Sequence, residues 1–197
     1  MPDKYSSEDN YKYSNNNVLK NKLGIYDQGK LDLAEAEFVS LRSLECSKNF
    51  FKLPFDHSIL ARIHRHLFQD IYDWAGIYRT VDISKGTTRF CNVNFIENSI
   101  KSIMNTLHEE HFLQNLEKKE FSMRSAYYMG EINAIHPFRE GNGRTQREFL
   151  NQLALNKGFY IYWHKCDVEE ILDATNKSYN QEYSSLEKII FENLHDI

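Results

Sequence analysis

A short segment of the chain, residues 136–147, concentrates side chains that suit phosphate chemistry. It reads HPFREGNGRTQR. Helical apolar periodicity ends just before it, at Ile135, and resumes from Arg144, so we expect a loop that leads into the N-terminus of a helix. Such a terminus offers unpaired backbone N–H groups and the positive end of the helix dipole. The pattern therefore predicts an anion-binding loop.

The glycines and arginines of this segment fit a polyphosphate. Gly141 and Gly143 can adopt positive φ, which lets the backbone approach a phosphate closely. Arg144 and Arg147 fall on one face of the first helical turn, and a guanidinium matches phosphate oxygens with paired donors. We predict that these four residues cradle a phosphate chain.

Two further residues of the loop add catalytic chemistry. Glu140 is a carboxylate that could hold Mg²⁺ alongside phosphate oxygens and water. An imidazole titrates near neutrality, so His136 suits a general base that acts on a hydroxyl. Together they predict transfer of a phosphate-containing group from a nucleotide. The residues alone leave a second interpretation open, a glycine-rich helix cap with solvated charges.

Apolar periodicity along the rest of the chain is helical, and it predicts the elements that position this loop. We expect helices from Leu31, from near Asp56, and over about residues 94–116, 121–135 and 144–156. Two final helices are expected to begin at Asp167 and Ser184, because these residues have capping-box spacing to Glu170 and Glu187. The run FYIYW after Gly158 is either a strand or simply extended. The predicted fold class is therefore mainly α.

One segment departs from the helical pattern. Thr80, Val81 and Ile83 favour a strand, and SKGTT is a turn signal before a second apolar run. We expect an exposed β-hairpin there, over about residues 83–95. No composition shift or internal repeat marks a second domain, so residues 1–197 are predicted to form one domain, with a polar, mobile arm over about residues 1–16.

Composition limits the remaining function classes. The chain has 197 residues and a net charge of −4, so no basic surplus indicates a nucleic-acid partner. Three widely spaced cysteines without a CxxC pair indicate a reduced, cytoplasmic protein. No run of about 18 apolar residues occurs, which argues against a membrane protein. His64 and His66 point to different faces of a helix and are interpreted as structural histidines.

The loop segment matches every defined position of the signature H-P-F-x-[DE]-G-N-G-R-x-x-R of the Fic family ("filamentation induced by cAMP"). Upstream, HLFQDIYDWAGIYRTVDISKGTTRFCNVNFI is similar to the helix end and flap hairpin of Fic proteins, and VLKNKLGI is similar to the N-terminal stretch of bacterial Fic toxins. The resemblance covers about residues 11–190. It implies a Fic-type helical bundle with the hairpin as a small flap over the active site.

Most Fic proteins with the full signature transfer AMP from ATP to a hydroxyl side chain of a target protein. The resemblance implies that His136 deprotonates the target Tyr, Thr or Ser and that Glu140 coordinates Mg²⁺. It implies that the phosphates are bound by Gly141, Asn142, Gly143, Arg144 and Arg147. It also implies that the flap holds the target by strand addition, through Lys85, Gly86, Thr87, Thr88, Arg89 and Phe90.

Many Fic proteins are inhibited by a helix with the motif [ST]-x-x-x-E-[GN], whose glutamate pairs with the last arginine of the signature, here Arg147. Ser178 with Glu182 matches only the first half of the motif, because Tyr183 follows, and the sequence contains no complete copy. The chain therefore resembles bacterial Fic toxins that are inhibited by a separate small antitoxin. The resemblance implies DNA gyrase or topoisomerase IV as the target.

Two alternatives stay open. Some relatives transfer UMP, phosphocholine or a phosphoryl group, although retention of the full GNGR sequence favours AMP. A non-catalytic ATP-binding interaction module would keep the loop but would need no base, so His136 argues against it. We expect a stand-alone cytoplasmic toxin rather than a fragment of a secreted effector.

Overall fold

The computed structural model describes residues 9–14, 16–86 and 88–197, and their mainly helical structure confirms the predicted fold class. The helices are α1 (Gln28–Lys48), α2 (Ile59–Phe68), α3 (Ile96–Glu109), α4 (Lys118–Ile135), α5 (Asn142–Lys157), α6 (Val168–Ser178) and α7 (Ser184–Asn193). The strands are β1 (Ser84–Lys85), β2 (Thr88–Arg89), β3 (Phe159–Ile161) and β4 (Leu194–Asp196). None of the helices in the described ranges is both long and apolar enough to cross a bilayer.

Helices α4 and α5 form the centre of the core. α4 packs against α3, α5, α6 and α7, and α5 packs also against α1, α2 and β3. Phe121, Tyr128 and Ile132 of α4 are buried, as are Phe149 and Leu153 of α5. A helix that is buried on most of its faces has little freedom to shift. The loop between α4 and α5 is therefore anchored in the core at both ends.

Polar side chains of α5 are buried as well, and they bind backbone groups of neighbouring segments. The Gln152 Oε1 accepts from the Phe51 N–H at 2.7 Å, and the Asn156 Nδ2 donates to the Phe51 carbonyl at 2.7 Å. The Asn151 Oδ1 accepts from the Ile161 N–H at 3.3 Å. These bonds satisfy backbone groups that α5 shields from water.

The predicted hairpin is present but short. β1 and β2 pair antiparallel, with Ser84 opposite Arg89 and Lys85 opposite Thr88. Beyond them the chain leaves the ladder, and Val93–Phe95 forms a 3₁₀ turn. A second antiparallel pair joins β3 to β4, with Tyr160 opposite His195. The run after Gly158 is thus a strand, and its partner β4 has no signal in the sequence.

The ends of several helices differ from the expectations by a few residues, and the end of α3 differs most. α3 ends at Glu109 rather than near Leu116, because residues 111–113 all adopt positive φ, which stops the helix. Asp167 caps α6 through the N–H groups of its first turn, as predicted. Ser184 makes no capping hydrogen bond, because α7 already begins at that residue. The predicted N-cap is therefore confirmed for Asp167, whereas Ser184 does not cap α7.

The predicted N-terminal arm is described only in part, since residues 1–8 and 15 lie outside the described ranges. The Tyr11 hydroxyl accepts from the Thr80 N–H at 3.2 Å, and its ring packs edge-on against Trp74. The Tyr13 and Tyr26 rings have centroids 4.3 Å apart. The described residues of the arm are thus in contact with the body of the protein.

Gly130 marks a close approach between α4 and the segment that joins α6 to α7. A Cβ at Gly130 would lie 2.5 Å from the Tyr183 ring and 3.1 Å from the Ser178 Cβ. We predict that Gly130→Ala lowers the free energy of unfolding by about 1–3 kcal/mol, because these atoms must shift. Gly29→Ala is the control, since its Cβ would lie 3.5 Å from the nearest atom, Asp27 Oδ1. It should change the stability by less than about 0.5 kcal/mol, because Gly29 lies in the first turn of α1. Urea unfolding compares the two variants. An unchanged free energy of unfolding for Gly130→Ala would contradict the prediction, because it would show that Tyr183 and Ser178 can move away at no cost.

Glu148 of α5 is a buried carboxyl. Burial raises its pKa to about 7, although a hydrogen bond from Gln152 acts in the opposite direction. The same carboxyl titrates near 4.5 when exposed, so the unfolded chain loses this proton first as the pH rises. Stability contributed by the neutral form is therefore present below about pH 4.5 and is lost as the pH rises to about 7.

We predict that Glu148→Gln stabilises the protein by about 2–4 kcal/mol at pH 8, because the amide stays neutral in the folded state at every pH. At pH 5 the gain should fall below about 1 kcal/mol. Urea unfolding at both pH values measures the difference. Glu37→Gln, at an exposed position of α1, should change stability by less than about 0.5 kcal/mol at either pH. An equal gain at pH 5 and pH 8 for Glu148→Gln would disprove the linkage.

Candidate active site

The loop predicted to bind anions joins the C-terminus of α4 to the N-terminus of α5. His136 is the C-cap of α4 and adopts the left-handed conformation, with φ 50° and ψ 61°. Its N–H donates to the Ile132 carbonyl at 2.9 Å. Gly141 is the N-cap of α5 and is also left-handed, with φ 80°. Two left-handed residues thus flank the reversal of the chain between the helices.

A cavity of about 430 Å³ lies beside this loop, walled by the hairpin, the loop, α4, α5 and α6. The predicted site residues that line it are His136, Glu140, Asn142, Gly143 and Arg147, together with Lys85, Gly86, Thr88 and Phe90 of the hairpin. Gly141, Arg144 and Arg89 are not part of the lining, and Thr87 lies outside the described residues. The fold therefore gathers most of the predicted residues around one cavity.

Asn142 closes the loop on itself. Its Oδ1 accepts from the Phe138 N–H at 2.9 Å, and its Nδ2 donates to the Phe138 carbonyl at 2.8 Å. Because this side chain is buried and already bonded, the groups left for an anion are the backbone N–H groups at the start of α5. Gly143 is helical and belongs to that first turn, so the positive φ expected for it is wrong; Gly141 has the expected conformation.

Arg144 is turned toward α1 and α2. It forms an ion pair with Glu35, and its guanidinium lies 4.7 Å from the centre of the Phe68 ring. Glu35 is buried and also accepts from the Tyr72 hydroxyl. Burial raises the pKa of Glu35, although the charge of Arg144 opposes the rise. The Arg144 Nη2 also lies 3.9 Å from the Glu140 Oε1, and contact between Arg144 and a phosphate stays a prediction.

Arg147 lines the cavity as a desolvated cation. Burial lowers its pKa, and the positive charge of Arg144 lowers it further. No Asp or Glu side chain forms an ion pair with Arg147 within the described part of the chain. A buried charge without a partner is costly. This position therefore favours an anionic ligand.

The ring of His136 lies against the hairpin. Phe90 stacks on it with ring centroids 3.9 Å apart and an interplanar angle of 17°. The His136 Nδ1 lies 3.3 Å from the Asn133 carbonyl oxygen, which can only accept. Nδ1 therefore carries a proton in this contact, and in the neutral ring Nε2 holds the lone pair. This is the tautomer that a general base requires.

The backbone of Glu140 is held by a buried histidine of α2. The Gly76 N–H donates to His64 Nδ1 at 2.8 Å, so Nε2 carries the proton and donates to the Glu140 carbonyl at 3.0 Å. Burial lowers the pKa of His64 to about 3, which keeps the ring neutral. His64 is thus structural, as expected, and its structural task is to support the loop.

Glu140 fits the protein's share of a magnesium site. Its carboxylate borders the cavity, is 29% exposed, and accepts from the Gly141 N–H at 3.0 Å. No group of three His, Cys, Asp or Glu side chains within the described ranges could hold a metal ion. Mg²⁺ usually takes one or two carboxylates and completes its shell with phosphate oxygens and water. A single carboxylate next to an anion site matches that pattern.

Three residues of this region were not among those predicted. Gln146 lines the cavity, and both atoms of its amide are buried without a partner among the described residues. Its helical spacing of four from Asn142 is a signal that could have indicated it. Glu35 pairs with Arg144 across 109 positions, and Arg79 reaches the loop across 57. Such distant pairs depend on the fold and leave no local pattern.

Comparison with known proteins identifies the family. The profile of the Fic/DOC family matches residues 54–154, which is more than half of the chain. The chain is 41% identical over 188 residues to protein adenylyltransferase VbhT of Bartonella schoenbuchensis, covering 95% of this chain and 39% of VbhT. It is 40% identical over 190 residues to the probable protein adenylyltransferase Fic of Salmonella typhimurium, covering 96% of this chain and 94% of that protein.

A solved structure supports the same assignment. The N-terminal Fic domain of a cell filamentation protein of Bartonella quintana, crystallised with bound ADP, has a TM-score of 0.86 at 26% identity and covers 95% of both chains. This chain therefore belongs to the Fic/DOC family. The names of the relatives confirm the predicted enzyme class, a nucleotidyltransferase. The chain spans about two fifths of the length of VbhT.

We predict that Gly141→Ala lowers the free energy of unfolding by about 2–4 kcal/mol, because φ is positive and the Cβ would lie 2.3 Å from the Phe68 ring. Gly143→Ala is the matched control. Its Cβ would lie 3.4 Å from the flexible end of Arg147, and its backbone is helical. It should therefore be neutral within about 0.5 kcal/mol. Urea unfolding without nucleotide makes the comparison, and equal losses for both variants would contradict the assigned conformations.

Proposed function

We propose that this chain is a protein adenylyltransferase, which transfers AMP from ATP to a hydroxyl side chain of a target protein and releases pyrophosphate. The observation that carries the proposal is the common cavity shared by His136, Glu140, Arg147 and the N-terminus of α5. A base, a carboxylate for Mg²⁺ and an anion site are the parts that phosphoryl chemistry needs. The names of the relatives at about 40% identity support the same activity.

His136 is the proposed base. Its Nδ1 contact with the Asn133 carbonyl fixes the ring orientation, so Nε2 can take the proton of the target hydroxyl. The hydroxyl oxygen then forms a bond to the α-phosphorus of ATP, while the bond from that phosphorus to the bridging oxygen of pyrophosphate breaks. Phe90, stacked on the ring, limits the directions from which a hydroxyl can approach.

The phosphates are assigned to the start of α5 and to Arg147. The N–H groups around Gly141, Asn142 and Gly143 supply the anion nest, and Arg147 supplies the cation. Magnesium, held by Glu140, would neutralise charge on the phosphate oxygens. Arg144, which pairs with Glu35 and lies 3.9 Å from Glu140, is the proposed second cation.

The hairpin is the proposed docking site for the target. Its strands pair only with each other within the described residues, which leaves outer backbone groups for an added strand. Main-chain hydrogen bonds of that kind need little sequence specificity. Lys85, Gly86, Thr88 and Phe90 border the same cavity as His136, so a strand bound there would present its side chain to the base.

We further propose that the protein is a cytoplasmic toxin controlled by a small antitoxin. The sequence contains no complete inhibitory motif, and we assign the glutamate that would pair with Arg147 to a separate antitoxin chain. The proposed target class is the type II topoisomerases, DNA gyrase or topoisomerase IV. It rests on the sequence resemblance alone.

We predict that His136→Ala lowers AMP transfer by at least about 10²-fold and leaves ATP affinity within about threefold of wild type, because the base is lost and the phosphate contacts remain. The experiment incubates the protein with bacterial lysate, Mg²⁺ and ATP labelled on either the α- or the γ-phosphate. Calorimetry measures ATP affinity. His108→Ala, at an exposed position of α3 outside the cavity, is the control and should keep full activity.

A protein band labelled from α-ATP alone identifies AMP transfer. A band labelled from γ-ATP would replace the proposal with phosphorylation. ATP binding without any labelled band would favour the binding module. Labelling of purified gyrase, with loss of its supercoiling activity, tests the target class separately.

A further inference from the structure

The end of α4, where His136 lies, is capped by a single buried arginine from the segment between α2 and β1. The Arg79 Nε donates to the His136 carbonyl at 2.8 Å, and its Nη2 donates to the Ile135 carbonyl at 3.2 Å. The Arg79 backbone N–H donates to the Pro137 carbonyl at 2.9 Å. A helix end leaves its last carbonyls without partners in the helix. Arg79 supplies donors to three consecutive carbonyls there.

The same guanidinium holds the hairpin. Its Nη1 donates to the Val81 carbonyl at 2.8 Å, just before the hairpin, and its Nη2 also donates to the Cys91 carbonyl just after it. The Cys91 N–H in turn donates to the Ala134 carbonyl of α4 at 3.2 Å. Both legs of the hairpin are thus tied to the end of α4 through Arg79 and Cys91.

Burial of the Arg79 charge costs free energy, so the hydrogen bonds of the guanidinium must compensate for that cost. The Arg79 side chain is 0% exposed, and burial lowers its pKa. The nearest carboxylate, Asp82, lies 3.7 Å away and is largely exposed, so carbonyl oxygens provide most of the compensation. An apolar residue in this place would avoid the cost of burying a charge but would leave four carbonyls without this donor.

The side chain of His136 contacts the hairpin too. Phe90, the neighbour of Cys91, stacks on its ring. The carbonyl of His136 is therefore held by Arg79, and its ring is covered by the hairpin that Arg79 anchors. His136 itself is left-handed, a conformation that a non-glycine residue keeps only when its surroundings enforce it.

We infer that Arg79 is a positioning residue that makes the docking hairpin and the base His136 one mechanical unit, so that a target strand bound to the hairpin brings its hydroxyl to the imidazole. This inference rests on the proposed function for the roles of the hairpin and the base. Arg79 does not line the cavity and contacts none of the predicted phosphate-binding residues. Arg79 therefore affects the alignment of the target hydroxyl with His136 and leaves the affinity for the nucleotide unchanged.

Two variants test the inference. Arg79→Lys keeps the charge but loses the fork of donors, and Arg79→Gln keeps planar donors but loses the charge. Arg124→Lys is the control, because Arg124 is a partly buried arginine that pairs with Glu110 and does not line the cavity. Circular dichroism verifies folding, and thermal unfolding measures the loss of stability. Calorimetry measures ATP affinity, and the initial rate of labelling from α-ATP in lysate measures transfer.

We expect both Arg79 variants to lose about 10- to 100-fold in labelling rate, because misplacement of the base by about 1 Å has an effect of that size. ATP affinity should stay within about twofold of wild type. In ¹⁵N spectra, the side-chain signals of His136 and the amide signals of Thr88 and Phe90 should shift together. Arg124→Lys should alter neither the rate nor these signals, whatever its effect on stability.

Three results would overturn the inference. The first is a labelling rate that is unchanged while stability falls, which would reduce Arg79 to a structural residue. The second is ATP affinity that falls in parallel with the rate, which would indicate general loosening. The third is a shift of the hairpin signals without a shift of His136. The ¹⁵N spectra do not depend on transfer activity. If the wild-type protein labels nothing, the proposed function is refuted, and the spectra still test whether Arg79 couples the hairpin to His136.

Discussion

The two hydrogen bonds between the Asn142 side chain and the Phe138 backbone fix the loop on which the whole site depends. They close a ring across the loop and hold the start of α5 at a set distance from the end of α4. Phe138 then stacks on His64, with ring centroids 3.9 Å apart, and His64 holds the Glu140 carbonyl. The proposed base, metal carboxylate and anion nest are thereby held in place by the fold itself, which lowers the entropy cost of assembling them.

This rigidity comes from buried polar groups, which is why the polar face of α5 looks unlike an ordinary amphipathic helix. Asn151, Gln152 and Asn156 bind backbone atoms of other segments. Each such bond is modest in net stability, but a missing partner would leave a buried group unsatisfied. The sequence of α5 is therefore constrained by partners that lie far away in the chain. Gln146 is the exception, since its amide has no partner among the described residues, and it borders the cavity where a ligand would lie.

Local patterns predicted the parts of the molecule that local physics determines. The helical class, the existence of a loop between α4 and α5, the Asp167 cap and the stop at Gly158 all follow from periodicity and capping preferences. The end of α3 did not follow, because residues 111–113 are left-handed without a glycine among them. The orientation of Arg144 did not follow either. Its spacing from Arg147 suggests a shared ligand, yet a carboxylate from α1 competes for its guanidinium, and such pairs appear only in the folded chain.

The three arginines of the signature segment show how the fold turns a basic run into a directed site. Arg139 is paired with Asp9 and Arg144 with Glu35, and both acids come from the N-terminal part of the chain. Arg147 has no carboxylate partner among the described residues and borders the cavity. Without the two acids, three positive charges would lie within nine residues, and they would repel one another and attract anions without preference for position. With Asp9 and Glu35 in place, the positive charge that lacks a carboxylate partner among the described residues is that of Arg147, in the cavity wall beside the N-terminus of α5. The N-terminal segments thereby select where in the cavity an anionic ligand gains the most.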